Sequence, residues 1–524
     1  MPNMELIIGL LGAAAILSGL ARYLSVPYPV VLVIGGAVLA AIPGVPTVQI
    51  APDVVFLVFL PPLLYAAALT SSPAELRHNA QAILLLAVGL VLATVGVVAA
   101  VAHLAAGLPW RFAFALGAIL GATDPVAAVA IIRRLGAPQR IATLLEGEAL
   151  VNDGTALTVF KVSLLALTAH SFSPLHGLLQ FVEVSAGGIA IGAGVGWISA
   201  LIRGRMDDPN LETVIGVLTA YTSYIAADAA GTSGVLAAVA AGIVTAQRST
   251  RIFSPGTRLR SSAFWQVASF LLNALLFLLI GLELRLAISG IHHADAASLA
   301  WQTAALIAAA VALRCAWMFL VPALLAPVRR RLPGGGLRSA WREQIVLGWS
   351  GMRGALSLAA ALSLPLIGAG GRHLSQRPLV VYFAFAVTFI TLVLGGLTLA
   401  PLIRRLGLGQ SERRLRQARE ARLRVIRAAL TRLDQLAERE PVSDGTLARL
   451  RELYEGRAEA LESMLSEEGA PDRAEHLREQ RRIHQLLLDA EREELRELSR
   501  QRAAPVDVLR EIERDLDLES SRLR

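Results

Sequence analysis

The sequence predicts an all-α polytopic membrane protein followed by a helical tail. Hydrophobic residues make up 55% of the 524-residue chain, and charged residues only 17%. The charges are segregated, because residues 1–403 carry few of them while residues 404–524 are dense in Arg and Glu. This composition is typical of a membrane domain joined to a soluble region. We therefore expect a transmembrane domain of residues 1–405 and a cytoplasmic helical tail of residues 406–524.

Thirteen apolar runs are long enough to cross a hydrocarbon core of about 30 Å as helices. The first run lacks a preceding basic region and a small-residue cleavage site, so we expect it to be retained as a span. The runs lie near residues 4–22, 27–43, 53–70, 82–106, 111–132, 141–168, 178–202, 210–229, 231–247, 263–284, 299–327, 343–366 and 379–403.

Arginines between the runs predict the orientation of these spans. If the N-terminus lies outside, sixteen arginines fall in the inner loops and only four on the outer side. Loops rich in Arg and Lys stay in the cytoplasm. We therefore expect an outer N-terminus and a cytoplasmic tail, which agrees with an odd number of spans.

The tail shows the periodicity of amphipathic helices. Leu423, Ile426, Leu430 and Leu433 recur at spacings of three and four residues. Prolines and glycines further along divide the tail, so we expect three or four helices. The alternative is a solvated, charged tail with marginal helices.

The composition argues against several other classes of protein. The net charge of +8 would suit a nucleic-acid partner, but the arginines cluster in short loops between apolar runs, as membrane topology requires. Cys315 is the only cysteine, which excludes a disulfide or a thiolate metal site within one chain. We expect no nucleic-acid partner, no enzymatic activity and no bound cofactor.

Two acidic motifs lie inside consecutive apolar runs. Residues 121–125 read Gly-Ala-Thr-Asp-Pro, and residues 148–153 read Glu-Ala-Leu-Val-Asn-Asp. An ionised carboxylate at the centre of a membrane helix costs on the order of 3 kcal/mol, so Asp124 and Asp153 are candidates for binding a cation or a proton. Pro125 lacks a backbone N–H, which predicts a break in the helix beside Asp124.

A second interrupted span carries an arginine at a similar depth. Residues 348–354 read Gly-Trp-Ser-Gly-Met-Arg-Gly. A rise of about 1.5 Å per residue places Arg353, Asp124 and Asp153 near the membrane midplane. Glu148 lies slightly nearer the cytoplasm, and we predict that it forms a buried ion pair with Arg353.

The positions of the two breaks predict an internal repeat. Spans one to six and eight to thirteen would form two inverted six-helix repeats, each with a broken crossing helix. Broken helices at equivalent positions mark the substrate site of secondary transporters.

The polar groups around the predicted breaks are hard oxygen ligands, which suit Na⁺, Li⁺ or H⁺ and not soft metals. Desolvation favours a protonated carboxyl group and a nearby cation favours the ionised form, so one acid can hold either a proton or a metal ion. We predict that Asp153, Asp124, Thr123 and Asn152 bind the ion, with the first three as ligands of the metal cation. Thr123 and Asn152 could equally well serve only to hydrogen-bond the helices.

These motifs resemble the sodium/proton exchanger branch of the monovalent cation:proton antiporters. The resemblance covers roughly residues 5–405 and includes Leu-Pro-Pro-Leu-Leu-Tyr at 60–65 and Leu-Phe-Leu-Leu-Ile-Gly-Leu-Glu-Leu at 276–284. It implies electroneutral exchange of Na⁺ or Li⁺ for protons in the bacterial inner membrane, with a role in pH homeostasis. It also implies a homodimer with a scaffold domain and a moving core, working by elevator-type alternating access.

The resemblance further implies that Asp153 binds the ion, that Asp124 assists, and that Glu148 pairs with Arg353. Many relatives carry a Ser after the Glu, and some carry an acid after the Leu-Pro-Pro motif. This sequence has Ala149 and Ala66 there. These departures leave K⁺/H⁺ exchange open as the alternative.

Two other functions also place acids in a membrane. An intramembrane aspartyl protease would leave the predicted Glu148–Arg353 pair unexplained, and a cation channel needs a ring of ligands around a pore. Four further charges have several interpretations. Arg314 pairs with a carbonyl or lines the core, Lys161 is expected to snorkel, and Asp228 and Glu283 are ordinary interface charges or a weak entrance funnel.

Overall fold

The structure, a computed structural model, is all-helical in the ranges it describes. These ranges are residues 2–43, 54–168, 174–206, 208–289, 295–324, 341–365, 375–409, 412–439 and 443–463, with scattered positions beyond. The chain divides into two compact units, residues 1–410 and residues 411–524. The predicted all-α fold class is confirmed.

Each of the thirteen predicted spans coincides with a helix or a pair of helices in the first unit. Within the described ranges, six helices are individually long and apolar enough to cross a membrane. The unbroken spans are α1 (Pro2–Leu24), α2 (Tyr28–Ala41), α3 (Val55–Thr70), α4 (Ala80–Ala106), α6 (Gln139–Thr168), α7 (Pro174–Arg203), α8 (Pro209–Ala229), α9 (Gly234–Ile252), α10 (Pro255–Leu282), α11 (Ala296–Leu324) and α13 (Arg377–Arg405).

Two spans are interrupted where the sequence predicts it. The fifth consists of α5a (Trp110–Gly121) and α5b (Val126–Arg134), and the twelfth of α12a (Trp341–Trp349) and α12b (Ala355–Leu362). Proline interrupts the first because it cannot donate a helical hydrogen bond. Glycines interrupt the second because they stabilise a helix poorly.

Prolines also shape α3. Its first residues, Val55–Phe59, form a π-helical turn before two prolines. Because Pro62 has no N–H, it cannot donate to the carbonyl of Val58, four residues earlier. That carbonyl instead accepts a hydrogen bond from the Tyr221 hydroxyl at 3.0 Å. The replacement bond ties α3 to α8.

The spans pack into two groups that combine both halves of the sequence. The six-span group contains α4, α5a, α5b, α6, α11, α12a, α12b and α13, which pack mainly on one another. The seven-span group contains α1, α2, α3, α7, α8, α9 and α10. Contacts between the groups are fewer, and they form a seam along α6, α2 and α10.

Glycines allow α7 and α9 to pack at backbone distance within the seven-span group. A Cβ at Gly192 would collide with the backbone of Ala237, and a Cβ at Gly196 with that of Ala241. Small residues are a common means of bringing membrane helices together, because they let the two backbones approach. The glycine-rich stretch of α7 therefore serves helix packing.

The second unit begins with two helices that pack on each other. They are α14 (Glu412–Arg439) and α15 (Asp444–Ser463). Leu423 and Ala458 are buried, and Arg427 pairs with Glu462 at 2.7 Å. The further helices predicted for the tail lie where the structure describes only some positions.

Candidate functional site

The two broken spans meet at their breaks inside the six-span group. The Asp124 N–H, in the break between α5a and α5b, donates to the Met352 carbonyl, in the break between α12a and α12b, at 2.8 Å. A broken helix leaves backbone groups without their helical partners. Here a free N–H in one break donates to a free carbonyl in the other, and this hydrogen bond places the two interruptions side by side.

The Asp124 carboxylate lies at the start of α5b. Its Oδ1 accepts the N–H of Val126 at 2.9 Å and so caps that helix. Its other oxygen faces Gly354, where a Cβ would collide with the carboxylate. A glycine at 354 is therefore what allows the second broken span to approach this acid.

Asn152 joins α6 to the break in the fifth span. Its side-chain amide donates to the Thr123 carbonyl at 2.9 Å and to the Thr123 hydroxyl at 2.8 Å. Its Oδ1 is buried and has no hydrogen-bond partner among the described residues. Asn152 thus has a structural role through its nitrogen and leaves one acceptor oxygen unused.

The prediction that Glu148 pairs with Arg353 is wrong. Glu148 forms a two-pronged ion pair with Arg314, in which one guanidinium nitrogen donates to Oε2 at 2.8 Å and the other to Oε1. Both side chains are buried. Arg314 also donates its Nε to the Leu347 carbonyl at 3.0 Å, and Thr123 donates to Glu148 at 2.9 Å.

The sequence contained a signal for this pair. Arg314 lies ten residues before the end of α11, and Glu148 nine residues after the start of α6. With the predicted orientation both counts start from the inner face, so the two side chains share a depth. The sequence predicts a carbonyl partner or a core position for Arg314, and the Leu347 carbonyl is such a partner. It does not predict the pairing with Glu148, because depth alone does not show which spans are neighbours.

Arg353 hydrogen-bonds backbone carbonyls instead of Glu148. Its Nε donates to the Leu120 carbonyl at 3.2 Å, and one terminal nitrogen donates to the Gly351 carbonyl at 3.1 Å. The Leu120 carbonyl lies in the last turn of α5a, where the interrupted helix provides no donor. A cation is also favourable at the C-terminus of a helix. Arg353 therefore stabilises both breaks at once.

Asp153 takes no part in the hydrogen bonds that join Glu148, Thr123 and Asn152. No hydrogen bond to its carboxylate occurs within the described part of the chain, and it lies in electrostatic range of Asp124. Both aspartates retain partial exposure, whereas Asn152 and Glu148 are buried. Within the described residues, neither aspartate forms an ion pair.

The charges of this region do not cancel. Three buried or half-buried acids, Glu148, Asp124 and Asp153, lie with two arginines, Arg314 and Arg353. Arg314 matches Glu148 directly. When both aspartates are ionised, one negative charge is in excess, and one monovalent cation or one proton removes it. Within the described ranges, no group of three or more Asp, Glu, His or Cys is arranged so that these side chains alone could hold a metal ion.

Lys161 forms an ion pair that the sequence did not predict. Its Nζ lies 3.0 Å from a carboxylate oxygen of Asp228. Lys161 belongs to α6 and Asp228 to α8, so the bond crosses the seam between the two groups. Both side chains are about half exposed.

The geometry agrees with the outcome of comparison with known families. Residues 11–405 match the family described as "Sodium/hydrogen exchanger, transmembrane". The chain belongs to this family. It is accordingly a multi-pass membrane antiporter that exchanges a cation for protons, and not an enzyme.

Relatives of known activity cover much of the chain. The Na(+)/H(+) antiporter ApNhaP of Aphanothece halophytica is 31% identical over 93% of this chain and 89% of its own length. The sodium, potassium, lithium and rubidium/H(+) antiporter of Bacillus pumilus is 33% identical over 72% of this chain and 58% of its own length.

A solved structure shares the fold. The sodium proton antiporter MjNhaP1 from Methanocaldococcus jannaschii superimposes with a TM-score of 0.59 and 18% identity, covering 78% of this chain and all of the other. The predicted fold is confirmed at this level.

Proposed function

We propose that this protein exchanges Na⁺ or Li⁺ for H⁺, one for one, by competition of the cation and the proton for Asp153. The observation that carries the proposal is the contrast along α6. Glu148 has its charge matched by Arg314, whereas the Asp153 carboxylate has no hydrogen bond within the described residues and keeps partial exposure. It is the acid most available to an ion.

The surrounding oxygens suit a small, hard cation. Asp124 and Asp153 supply carboxylates, and Asn152 has an unused acceptor oxygen. The Thr123 hydroxyl donates to Glu148 and accepts from Asn152, which leaves one lone pair for a ligand. Alkali cations prefer such oxygen ligands. Water can complete the ligand set where relatives carry a Ser and this chain has Ala149.

The excess of one negative charge supports electroneutral exchange. A site short of one positive charge is neutralised by one Na⁺ or by one H⁺, and binding of both would leave it positively charged in a region of low dielectric. Each cycle then carries one cation in one direction and one proton in the other. The membrane potential does no net work on such a cycle.

The identity of the cation belongs to this proposal as well. Na⁺ is favoured by the family and by the relative from Aphanothece halophytica. K⁺ is the alternative, since the Bacillus pumilus relative is described as exchanging sodium, potassium, lithium and rubidium. Ala149 and Ala66 remove two oxygen ligands that would help to define a small site.

We further propose that the six-span group moves against the seven-span group in an elevator-type cycle. The ion site lies entirely in the six-span group, and the seam between the groups has fewer contacts than either interior. A homodimer formed through the seven-span group would hold that group still. We expect residence in a bacterial inner membrane, with the N-terminus outside, the tail of residues 406–524 cytoplasmic, and a role in pH homeostasis.

Reconstitution tests the function directly. Purified protein in liposomes with an interior pH dye is given pulses of Na⁺, Li⁺ or K⁺. We expect Na⁺ and Li⁺ to move protons in the opposite direction, and the apparent affinity for Na⁺ to fall as the pH is lowered, because protons occupy the same carboxylate. A cation affinity that is constant over the active pH range would contradict competition.

The stoichiometry has its own readout in the same liposomes. A potential is imposed with K⁺ and valinomycin, and the Na⁺ gradient at which proton flux vanishes is measured. One-for-one exchange predicts that this gradient does not depend on the potential. A shift with voltage would refute it, and proton flux driven only by K⁺ would establish the alternative cation.

A further inference from the structure

The first residue of α13 is an arginine, Arg377, whose position the ion site does not explain. A cation at the N-terminus of a helix opposes the helix dipole. Arg377 is also one of only four arginines that the predicted orientation places on the outer side, against sixteen in the inner loops. Because its position runs against both tendencies, we expect a specific interaction to hold Arg377 there.

That interaction is with the C-terminal end of α12b. The Arg377 Nε donates to the Leu364 carbonyl at 2.8 Å, and one terminal nitrogen donates to the Leu362 carbonyl at 2.9 Å. Leu362 is the last residue of α12b, and a carbonyl at that position has no N–H partner within the helix. A cation is also favourable at this end of a helix. Arg377 thus ties α12b to α13.

Other carbonyls in the last turn of α12b find partners within their own segment. Ser363 donates its N–H to the Ala359 carbonyl at 3.0 Å and its hydroxyl to the Ala360 carbonyl at 2.8 Å. These bonds close the end of the helix but do not attach it to a neighbour. The two bonds of Arg377 differ in this respect, because they join the end of α12b to another span.

The opposite end of α12b forms one wall of the ion site. Gly354 directly precedes the helix, and the second carboxylate oxygen of Asp124 faces it. The helix runs from Ala355 to Leu362, a length of about 10 Å at 1.5 Å per residue. If so short a rod pivots by about 10° at its outer end, its inner end shifts by about 2 Å. The outer end therefore controls the distance between Gly354 and Asp124.

α12b has room to move on the side of the seven-span group. A cavity of about 30 Å³ lies between α3, α10 and α12b, and the residues of α12b that line it are Ala355, Leu358, Ala359 and Leu362. Glu283, which directly follows α10, also lines the cavity and is only 5% exposed, so it is not an ordinary interface charge. Apolar contacts are non-directional, whereas hydrogen bonds fix both distance and angle. The bonds of Arg377 therefore define the position of α12b more sharply than its packing does.

We propose that Arg377 is a positioning residue for the ion site, which holds α12b on α13 so that Gly354 stays against the Asp124 carboxylate. The proposal rests on the proposed exchange function. The groups of a binding site must be held within about 0.5 Å of their working positions, and a shift of about 2 Å exceeds this. Cation size and the flexibility of the ligands decide which ion a site prefers. A loosened site therefore loses the smaller ion first, since Li⁺ needs its oxygens closer together than Na⁺ does.

The test measures KM and kcat for Na⁺ and for Li⁺ in liposomes. We expect Arg377→Gln to raise KM about fivefold for Na⁺ and at least tenfold for Li⁺, and to change kcat less than twofold. Arg377→Lys, which keeps a cationic donor beside the end of α12b, should return both KM values to within twofold of the wild type. A purely structural role would lower the yield and the melting temperature of Arg377→Gln and leave both KM values unchanged. That result, or an equal rise for the two ions, overturns the proposal.

Arg111→Gln is the matched control. Arg111 is exposed, belongs to α5a of the same six-span group, and lies on the same predicted outer side as Arg377. Its guanidinium lies 5.9 Å from the centre of the Phe112 ring. The change removes one positive charge without releasing the end of α12b, so both KM values should stay within twofold of the wild type. An effect as large as that of Arg377→Gln would reduce the role of Arg377 to surface charge.

A second variant covers the case in which Arg377→Gln does not fold. Arg377→Met keeps an apolar stem but has no donor, and we expect the same changes in KM. If neither variant folds, Arg377 serves the fold as a whole and the specific role in positioning α12b is rejected. The two proposals fail separately. A wild type without Na⁺-driven proton flux refutes the exchange function, whereas an active wild type with unchanged KM values in Arg377→Gln refutes only this inference.

Discussion

Glu148 and Asp153 lie five residues apart on α6, but they differ in burial and in hydrogen-bond partners. Glu148 is buried with Arg314 on one side and the Thr123 hydroxyl on the other. Asp153 is partly exposed, and within the described part of the chain nothing hydrogen-bonds its carboxylate. One helix thus carries a partnered acid, Glu148, and an open acid, Asp153. We call the regions around them the partnered end and the open end of the network.

Under the proposed function, this difference divides one polar network into a structural end, with Glu148 and Arg314, and a transporting end, with Asp124 and Asp153. The partnered end ties α6, α11 and the two broken spans together, because Arg314 also reaches the Leu347 carbonyl. A buried ion pair costs much to break, since the remaining charge is left without compensation. The open end contains Asp124 and Asp153, the two acids to which the proposed function assigns ion exchange. Substitutions at the two ends should therefore have different consequences.

The largest expected effect is at the open end. Asp153→Asn preserves size but removes the charge and the titratable group, so we expect a folded protein with no measurable exchange of Na⁺, Li⁺ or K⁺ in liposomes. Asp124→Asn should be severe as well, but it retains a cap for α5b, because asparagine also accepts the Val126 N–H.

Thermal unfolding in detergent provides the control for both variants. Their melting temperatures should stay close to that of the wild type, since neither acid belongs to an ion pair. Exchange by Asp153→Asn at a rate near that of the wild type would show that another group carries the ion. Loss of folding would show that Asp153 belongs to the structural end of the network.

The second-largest expected effect is a loss of stability when the ion pair at the partnered end is broken. Removing one member of the Glu148–Arg314 pair should lower the free energy of unfolding by about 3–5 kcal/mol. We expect Arg314→Gln and Glu148→Gln each to reduce the yield and the melting temperature, and the double variant to recover part of the loss.

Arg353 allows the coupling of Glu148 to be compared for two arginines, Arg314 and Arg353. Because Arg353 hydrogen-bonds the carbonyls of Leu120 and Gly351, its loss should add to the loss of Glu148 with little coupling. A thermodynamic cycle with each arginine measures this coupling. Strong coupling of Glu148 to Arg353, with none to Arg314, would contradict the observed pairing.

Much of the fold follows from the sequence because its causes are local. Twenty apolar residues are enough to define a span, and Pro125 or the glycines around Arg353 are enough to interrupt one. The neighbours Asn152 and Asp153 fall on one helix, so their common depth could be predicted. The contact of the two breaks follows from the repeat interpretation, although no single residue indicates the Asp124–Met352 bond.

The partners of the charged residues could not be predicted in the same way. Which arginine faces Glu148 depends on whether α11 or the twelfth span lies beside α6 at that depth, and hydrophobicity does not encode this. Lys161 was assigned to the interface for the same reason, since its neighbour Asp228 is distant in sequence. Glu283 had two interpretations because burial at a span end depends on the neighbouring group.

The smallest expected effect is at the seam itself. The Lys161–Asp228 pair joins α6 of the six-span group to α8 of the seven-span group and is about half exposed. Exposed ion pairs contribute about 0.2–1 kcal/mol. If the groups move against each other, the pair favours the arrangement described here by that amount, and Lys161→Gln should change the exchange rate by no more than about fivefold.

Three comparisons identify the pair as the cause of such a change. Exchanging the two charges, with Lys161→Asp and Asp228→Lys together, should restore the rate. The effect of Lys161→Gln should also shrink at high ionic strength. The reason is that the distance over which exposed charges interact is about 10 Å at 0.1 M salt and becomes shorter as the salt concentration rises. The Arg133–Glu146 pair is the matched control, because both residues belong to the six-span group and the pair is also partly exposed. Arg133→Gln should leave the rate unchanged. A change greater than tenfold that persists in high salt would mean that Lys161 contributes to transport by something other than a bond across the seam.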